Sequence, residues 1–218
     1  MLKDRNDAAH RLAQRLEHWK GRRPLILIIP RGAAPMGEVL ARELGGDLDV
    51  VLVRKLGAPG NPEYALGALD ESGTVHITDP DEWARLAPSV REALIQRELD
   101  ILRVRRQRYT PLRPPLDPRG RVVIVVDDGI ATGATVTAAL AALRRHAPER
   151  LVLAVGVAPP ASLERLMPLA DEIVCLEKPD LFWAVGQYYE TFEQVEDAEV
   201  EAILRRDAHR RGEMEGLK

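Results

Sequence analysis

The sequence predicts an α/β fold in which a parallel, twisted sheet carries helices on both faces. The main indication is a series of short aliphatic segments, most of them followed by a helical stretch. They are residues 25–29, 49–53, 122–126, 150–157 and 172–176. Strands that are apolar on both faces are typical of a central parallel sheet. Regular alternation of strand and helix then places the helices on both sides of that sheet.

Length and composition are those of a globular enzyme. The 218 residues suffice for one large α/β domain, and a net charge of −3 gives no general attraction to nucleic acid or to a membrane surface. The apolar run at 25–30 is too short to span a bilayer. Cys175 is the single cysteine and cannot form an internal disulfide, so we expect a cytoplasmic protein.

A pair of acids follows the most aliphatic strand. Asp127 and Asp128 come directly after residues 122–126, and the small and hydroxyl-bearing residues 131–135 follow before a predicted helix. Side chains at the carboxyl end of a parallel strand reach the crevice where ligands bind. Backbone amides at a helix start form an anion site. This order of strand, acids, loop and helix predicts a site in which the two acids bind sugar hydroxyls and the loop binds a phosphate group. The alternative is that the acids only end a strand and that Thr132 only caps a helix.

Two further predicted strands are each followed by a segment that contains cationic residues. Arg31, Gly32 and Ala33, which we call the arginine loop, follow residues 25–29, and a guanidinium group binds phosphate oxygens through two hydrogen bonds. Arg54 and Lys55 follow residues 49–53 and would neutralise an anionic leaving group. The alternative is that these two are solvated charges at a strand end.

Residues 121–137 resemble the signature of the type I phosphoribosyltransferases, which bind 5-phosphoribosyl-1-pyrophosphate (PRPP). The resemblance implies that Asp127 and Asp128, the acid pair, hold the ribose hydroxyls, and that they bind Mg²⁺ mostly through water or substrate. The arginine loop, Arg54 and Lys55 would hold pyrophosphate. The remaining substrate-binding residues implied around the 5-phosphate are Gly129 and the phosphate loop, namely Ala131, Thr132, Gly133, Ala134 and Thr135.

The same resemblance implies a mobile loop and a C-terminal hood. Residues 57–68 would close over PRPP, with Glu63 and Tyr64 as lid candidates; a plain surface loop is the alternative. Residues 177–192 are similar to the hood of the 6-oxopurine phosphoribosyltransferases, so Phe182 or Trp183 would lie over a base. Alternatively, these aromatic residues only pack the C-terminal edge.

The residues that would recognise the base differ from that subfamily. Ala131 stands where the 6-oxopurine enzymes have an aspartate, and residues 157–160 stand where they present a lysine. The phosphate loop looks more like that of adenine phosphoribosyltransferases. The sequence therefore leaves the acceptor open.

Two helices are expected to have no chemistry. Apolar positions between Ala9 and Trp19 predict an amphipathic helix capped by Asn6 or Asp7. A second predicted helix, 90–109, ends in the basic segment 103–108. Without interleaved aromatics, that segment is better explained by pairing with nearby acids than by nucleic-acid binding.

We therefore expect a single domain over residues 1–218, with a core at about 25–176, a hood at about 177–195 and a C-terminal helix at about 197–210. The expected activity is Mg²⁺-dependent transfer of 5-phosphoribose from PRPP to a small heterocyclic acceptor, with release of pyrophosphate. Neither nucleic acid nor a membrane is an expected partner, and a homodimer is one assembly the sequence allows. The alternative is a regulatory module that binds PRPP or a nucleotide without reacting.

Overall fold

A five-stranded parallel sheet forms the centre of the protein, in a computed structural model that describes residues 1–111 and 115–215 (the side chains of residues 62, 63 and 213–215 excepted). The strand order is β2-β1-β6-β7-β8. The strands are β1 (Leu25–Ile28), β2 (Asp47–Val50), β6 (Val122–Gly129), β7 (Arg150–Val157) and β8 (Glu172–Glu177). All four neighbouring pairs are parallel, which confirms the predicted sheet.

Seven α-helices lie within the described residues. They are α1 (Arg5–Arg15), α2 (Ala34–Leu44), α3 (Pro80–Arg85), α4 (Pro88–Tyr109), α5 (Ala134–Arg145), α6 (Pro160–Leu166) and α7 (Asp197–Glu215). No helix in this part of the chain combines the length and the apolar composition needed to cross a membrane.

The sheet is covered on both faces because its strands are apolar on both faces. In β6, Ile124 and Val126 pack with α1, α2 and α7, whereas Val123 and Val125 pack with α5 and α6. Successive side chains of a strand point to opposite faces, so one aliphatic run contributes to two separate cores. The alternating pattern that a one-sided sheet requires is therefore absent from these strands.

The crevice of the sheet lies between β1 and β6. These two strands are hydrogen-bonded neighbours, with Ile28 opposite Val126. From this pair the chain proceeds in opposite directions, since β1 continues through α2 to β2 and β6 continues through α5 to β7. The loops after such a pair of strands separate, and they leave a ligand-binding crevice at the carboxyl ends of the strands.

A second, antiparallel sheet corrects two expectations. It consists of β3 (Val53–Ala58), β4 (Asn61–Asp70) and β5 (Val75–Ile77). Arg54 and Lys55 therefore belong to β3 and do not end a parallel strand, because the chain leaves the main sheet after Val50.

The segment 57–68, expected as a loop, is largely a hairpin of β3 and β4. Its turn residues are concentrated at the tip, where Gly60 has a φ of +81° that favours glycine, so the flanking residues are free to pair as strands. The side chain of Glu63, one of the two lid candidates, lies outside the described residues.

The amino-terminal segment is joined to the C-terminal part of the chain. Leu2 donates a backbone hydrogen bond to Tyr188 O (2.9 Å), and Glu190 donates one to Leu2 O (2.9 Å). Helix α1 follows, and its N-cap is Asp4, whose side chain accepts a hydrogen bond from the Asp7 amide (2.8 Å). The predicted cap at Asn6 or Asp7 was wrong because the helix already begins at Arg5, after the extended residue Asp4.

The basic end of α4 pairs with acids, as expected. The buried guanidinium of Arg106 donates to Asp49 (2.8 Å) and to Glu71 (2.6 Å). Arg108 donates to Asp197 at the start of α7 (2.9 Å). Arg106 thus joins the end of β2 to α4, and Arg108 joins α4 to α7.

Replacement of Arg106 by alanine should therefore destabilise the fold. It leaves the buried Asp49 without its main countercharge, and breaking a buried ion pair costs about 3–5 kcal/mol. The matched control is Arg103→Ala on the same helix, because Arg103 is 58% exposed and pairs with its neighbour Asp100. We expect the control to lose less than about 1 kcal/mol. Urea denaturation of both variants checks the prediction, and equal losses would contradict it.

Candidate functional site

The acid pair lies at the carboxyl end of β6, with both side chains partly buried. Burial and the adjacent charge of Asp128 raise the pKa of Asp127 well above its ordinary value, against a smaller opposing effect of the Gly129 amide. Two neighbouring carboxylates with little solvent are unfavourable when both are ionised. A cation or a hydrogen-bond donor, such as a sugar hydroxyl, would relieve this repulsion.

Pairing between β1 and β6 places the arginine loop against the acid pair. The Ile29 amide donates to Val126 O (3.0 Å), so the chain is still in register when it enters the loop through the cis peptide bond between Pro30 and Arg31. A Cβ atom on Gly32 would lie 2.1 Å from Asp128 Oδ2, so this position has no room for any side chain. The glycine thus permits close contact between loop and carboxylate.

The acid pair and the arginine loop share one cavity of about 550 Å³. Its remaining wall consists mainly of residues 192–195, which precede α7. Arg31 is exposed there, and its Nη1 atom lies 3.3 Å from a carboxylate oxygen of Glu196. The cavity therefore combines carboxylates with an accessible guanidinium group, as a site for a polyhydroxyl compound with an anionic substituent requires.

The phosphate loop follows β6 and leads into α5. Its carbonyl groups are held by α6, because Ser162 Oγ donates to Ala131 O (2.6 Å) and Arg165 Nη2 donates to Thr132 O (3.2 Å). Gly133, the N-cap, has a φ of +79°. The first amides of α5 have no partner within the helix, so they are available to an anion beside the exposed Thr132 and Thr135 hydroxyls.

The second sheet supplies basic residues opposite the phosphate loop. Lys55, Ala68 and His76 are in register across β3, β4 and β5, so they share one face. Together with Thr132 and Thr135 they line a cavity of about 210 Å³. From the sequence, Lys55 was expected to hold pyrophosphate, but it lies opposite the phosphate loop and does not line the cavity of the acid pair and Arg31. His76 was not anticipated, since only the strand register brings β5 to this position.

A third cavity, of about 440 Å³, is lined by cations from β3 and α4. Arg54 Nε donates to the buried carboxylate of Glu98 (2.8 Å), and Arg97 donates to the same group. Burial would raise the pKa of Glu98, but these two arginines hold it below its ordinary value. Arg105 lines this cavity as well, and neither arginine of α4 was expected there.

The hood residues differ in their exposure. The Phe182 ring stacks on Tyr188 with 5.5 Å between centroids and packs against the core, whereas Trp183 is 81% exposed. Val185 lies over the acid pair's strand, because a Cβ atom on Gly129 would lie 2.3 Å from Val185 Cγ1. Neither Phe182 nor Trp183 lines the three cavities above, so their position over a base stays a prediction.

The site contains a further residue that was not anticipated. Arg5, the first residue of α1, donates from Nε (2.9 Å) to Asp128 Oδ2, and its Nη2 lies 2.8 Å from the same oxygen. Tyr189 OH donates to the backbone carbonyl of Asp128 (2.6 Å). The sequence contained one local indication of this contact, because a cation in the first turn of a helix is disfavoured by the helix dipole. Such an arginine needs a countercharge from elsewhere in the chain.

The site has two carboxylates that can bind a metal ion, but the protein does not supply a complete set of ligands. Among the side chains that the structure describes, no cluster of three or more histidine, cysteine, aspartate or glutamate residues could hold an ion. Mg²⁺ usually retains several waters and binds through one or two carboxylates plus substrate phosphates. Asp127 and Asp128 therefore fit this ion together with a phosphorylated substrate, and they do not fit zinc.

Comparison with known proteins agrees with this geometry. The family model described as "Phosphoribosyl transferase domain" matches residues 2–193. "Putative phosphoribosyl transferase Rv0571c" of Mycobacterium tuberculosis is 42% identical over 212 residues, which are 96% of this chain and 47% of that protein. The chain thus spans about half the length of the curated relatives it matches.

One solved structure shows the same fold over nearly the whole chain. The crystal structure of TT1426 from Thermus thermophilus is similar with a TM-score of 0.85 and 45% identity, over 94% of this chain and 98% of that one. A hypoxanthine-guanine phosphoribosyltransferase of Bacillus anthracis gives a TM-score of 0.45 at 16% identity, over 84% and 87% of the two chains, and says nothing about the acceptor here. The chain belongs to the phosphoribosyl transferase domain family, whose enzymes are pentosyltransferases that use PRPP.

Proposed function

We propose that this protein transfers 5-phosphoribose from PRPP to a ring nitrogen of a nucleobase and releases pyrophosphate. The observation that carries the proposal is the position of the acid pair and the arginine loop, which line one cavity at the carboxyl ends of β1 and β6. Membership of the phosphoribosyl transferase domain family supports it. A sugar bearing a pyrophosphate group is the ligand whose parts correspond to these neighbouring groups.

In the proposed complex, the two ends of PRPP occupy different loops. The 5-phosphate accepts hydrogen bonds from the amides and hydroxyls of the phosphate loop, with Lys55 on the opposite wall. The ribose hydroxyls donate to Asp127 and Asp128. The pyrophosphate group lies beside Arg31 and the backbone of Gly32, whose missing side chain leaves room for the Asp128 carboxylate.

The reaction is then a substitution at the anomeric carbon. The acceptor nitrogen forms a bond to that carbon while the bond to the pyrophosphate oxygen breaks, and the pyrophosphate leaves with the bonding electron pair. Positive charge develops on the ribose, next to the carboxylates of the acid pair, and negative charge grows on the leaving group, next to Arg31. Fixed charges of the right sign at both places lower the barrier without reorganisation.

The acid pair would hold Mg²⁺ together with oxygens of PRPP and water. When bound, the ion would neutralise part of the charge on pyrophosphate and make it a better leaving group. Asp127 contributes here because its ionised form is unfavourable in the protein alone, so its charge is better satisfied by a cation than by its surroundings.

The acceptor would enter on the hood side of the acid pair, next to Val185, which itself fills the space over Gly129. Ala131 and Ala158 provide no proton acceptor or donor for a purine edge, so recognition would rely on apolar contacts and on backbone groups. Phe182 and Trp183 remain candidates to stack on the base from the hood. Because these residues cannot accept a proton, the environment favours a base that releases its proton to water.

Release of pyrophosphate tests the proposed activity. The protein is incubated with Mg²⁺-PRPP and a panel of purine and pyrimidine bases, and pyrophosphate is measured for each base. Release with at least one base, together with formation of its nucleotide, supports the transferase. Tight binding of PRPP without release for every base would favour the regulatory module instead.

Asp128→Asn should lower kcat/KM by at least about a hundredfold, the scale seen when one preorganised charged or hydrogen-bonding group is removed from a transition state. The variant keeps the shape of the side chain and removes the charge near the ribose. Asp100→Asn is the control, because Asp100 is an exposed residue of α4 whose side chain contacts Gln96 and Arg103 of the same helix. Steady-state kinetics with circular dichroism as a check on folding measure the effect. Full activity of Asp128→Asn would refute the assignment.

Asp127→Asn should stabilise the metal-free protein at neutral pH while it reduces PRPP binding. The raised pKa of Asp127 means that its ionisation opposes folding above the pKa of the unfolded chain. The stability advantage of the variant should therefore be largest at neutral pH, shrink as the pH falls through the folded-state pKa, and vanish below the unfolded-state pKa. Thermal unfolding in EDTA between about pH 4 and pH 8 measures this trend. A variant less stable than wild type at neutral pH would contradict it.

A further inference from the structure

All three nitrogens and the flat face of the Arg5 guanidinium group make contacts in the cavity that the acid pair lines. Two of its nitrogens contact Asp128 Oδ2, and the third, Nη1, donates to Glu193 O (2.6 Å). The plane of the group lies over the Phe192 ring, with Cζ 3.9 Å from the ring centroid. The Arg5 and Asp128 side chains are only 11% and 13% exposed. This is a buried, oriented charge in the same cavity as Arg31 and Asp127.

The chain places this arginine there against its local preference. Arg5 is the first residue of α1, at the end of the helix where the dipole disfavours a cation. Backbone hydrogen bonds of residues 2–3 with residues 188–191 fix the start of the helix beside the hood. The anchoring and the contact to Asp128 therefore belong to one arrangement, in which the N-terminal segment completes the cavity.

The presence of Arg5 changes the charge that a ligand meets. Asp127 and Asp128 alone would carry a charge of −2 when both are ionised, and Arg5 reduces the sum to −1. A site of lower negative charge holds a bare divalent cation less strongly and repels the pyrophosphate of PRPP less. Because both contacts converge on Oδ2, Arg5 also restrains rotation of the Asp128 carboxylate, whose orientation matters for a ribose hydroxyl.

We propose that Arg5 is a positioning residue of this site, which fixes the Asp128 carboxylate toward the ribose and lowers the negative charge of the acid pair so that Mg²⁺ binds together with PRPP and not alone. The inference rests on the proposed function, since PRPP is the ligand in question. A purely structural ion pair would join α1 to β6 without any effect on the balance between Mg²⁺ and PRPP binding.

The test compares Arg5→Gln and Arg5→Lys with the matched control Arg11→Gln. Arg11 lies on the same helix and pairs with Asp7 and Glu177 (3.7 and 3.6 Å), and it does not line the cavity. Isothermal titration calorimetry measures binding of Mg²⁺ alone and of PRPP at saturating Mg²⁺, each with the 218-residue chain, and thermal unfolding reports stability.

Arg5→Gln should bind Mg²⁺ alone about tenfold more tightly, because one positive charge is lost beside two carboxylates, and should bind PRPP about tenfold more weakly. Arg5→Lys should keep the Mg²⁺ affinity of wild type, since it keeps the charge, yet bind PRPP more weakly because it lacks the two-nitrogen contact. Arg11→Gln should match wild type in both. The opposite signs of the two effects in Arg5→Gln identify a role that lost stability cannot imitate.

Parallel weakening of both ligands in Arg5→Gln, or no change in either, would overturn the proposal and leave Arg5 a structural residue. If Arg5→Gln does not fold, Arg5→Lys decides: unchanged PRPP affinity overturns the proposal, and weaker PRPP binding with unchanged Mg²⁺ affinity supports it. Failure of the wild-type protein to release pyrophosphate with any base would defeat the transferase but not this inference, because the binding measurements need no turnover.

Discussion

The site depends on one constraint, the hydrogen-bonded pairing of β1 with β6. It sets two loops side by side that are far apart in the chain, and the Ile29–Val126 hydrogen bond continues it to the point where the loops begin. Both strands are apolar on both faces, so a slip by one residue would exchange the side chains that face the two cores. The same packing that stabilises the sheet therefore fixes the distance between the arginine loop and the acid pair.

Stability and function oppose each other at the carboxyl ends of β1 and β6. Burial and the charge of Asp128 disfavour ionisation of Asp127, whereas Asp128 is paired with Arg5, and Gly32 gives up a side chain so that the loop can touch Asp128. Elsewhere, buried charges are satisfied within the protein, as Asp49 is by Arg106 and Glu98 is by Arg54. Asp127 differs from these groups because burial and the neighbouring charge of Asp128 raise its pKa, and such shifts are typical of functional positions.

Much of this was predictable because it is local. Aliphatic strands, the residues that follow them and the helix starts indicated the parallel sheet. They also placed the acid pair, the arginine loop and the phosphate loop at one edge of it, since carboxyl ends of parallel strands share one edge. The register of β3, β4 and β5 was not predictable, because its turn-rich segment has no clear period, and so His76 was missed. Arg5 was missed because 123 residues separate it from Asp128, and no spacing rule links a helix N-terminus to a distant strand end.

The attachment of residues 2–3 to residues 188–191 has a consequence for synthesis of the protein. On the ribosome, the first helix emerges long before the strand that carries the acid pair, and the segment that anchors it emerges later still. A nascent chain that already contains the arginine loop and the phosphate loop would still lack the cover formed by Arg5 and Phe192. The cavity of the acid pair would thus reach its final shape only in molecules whose translation has passed the hood.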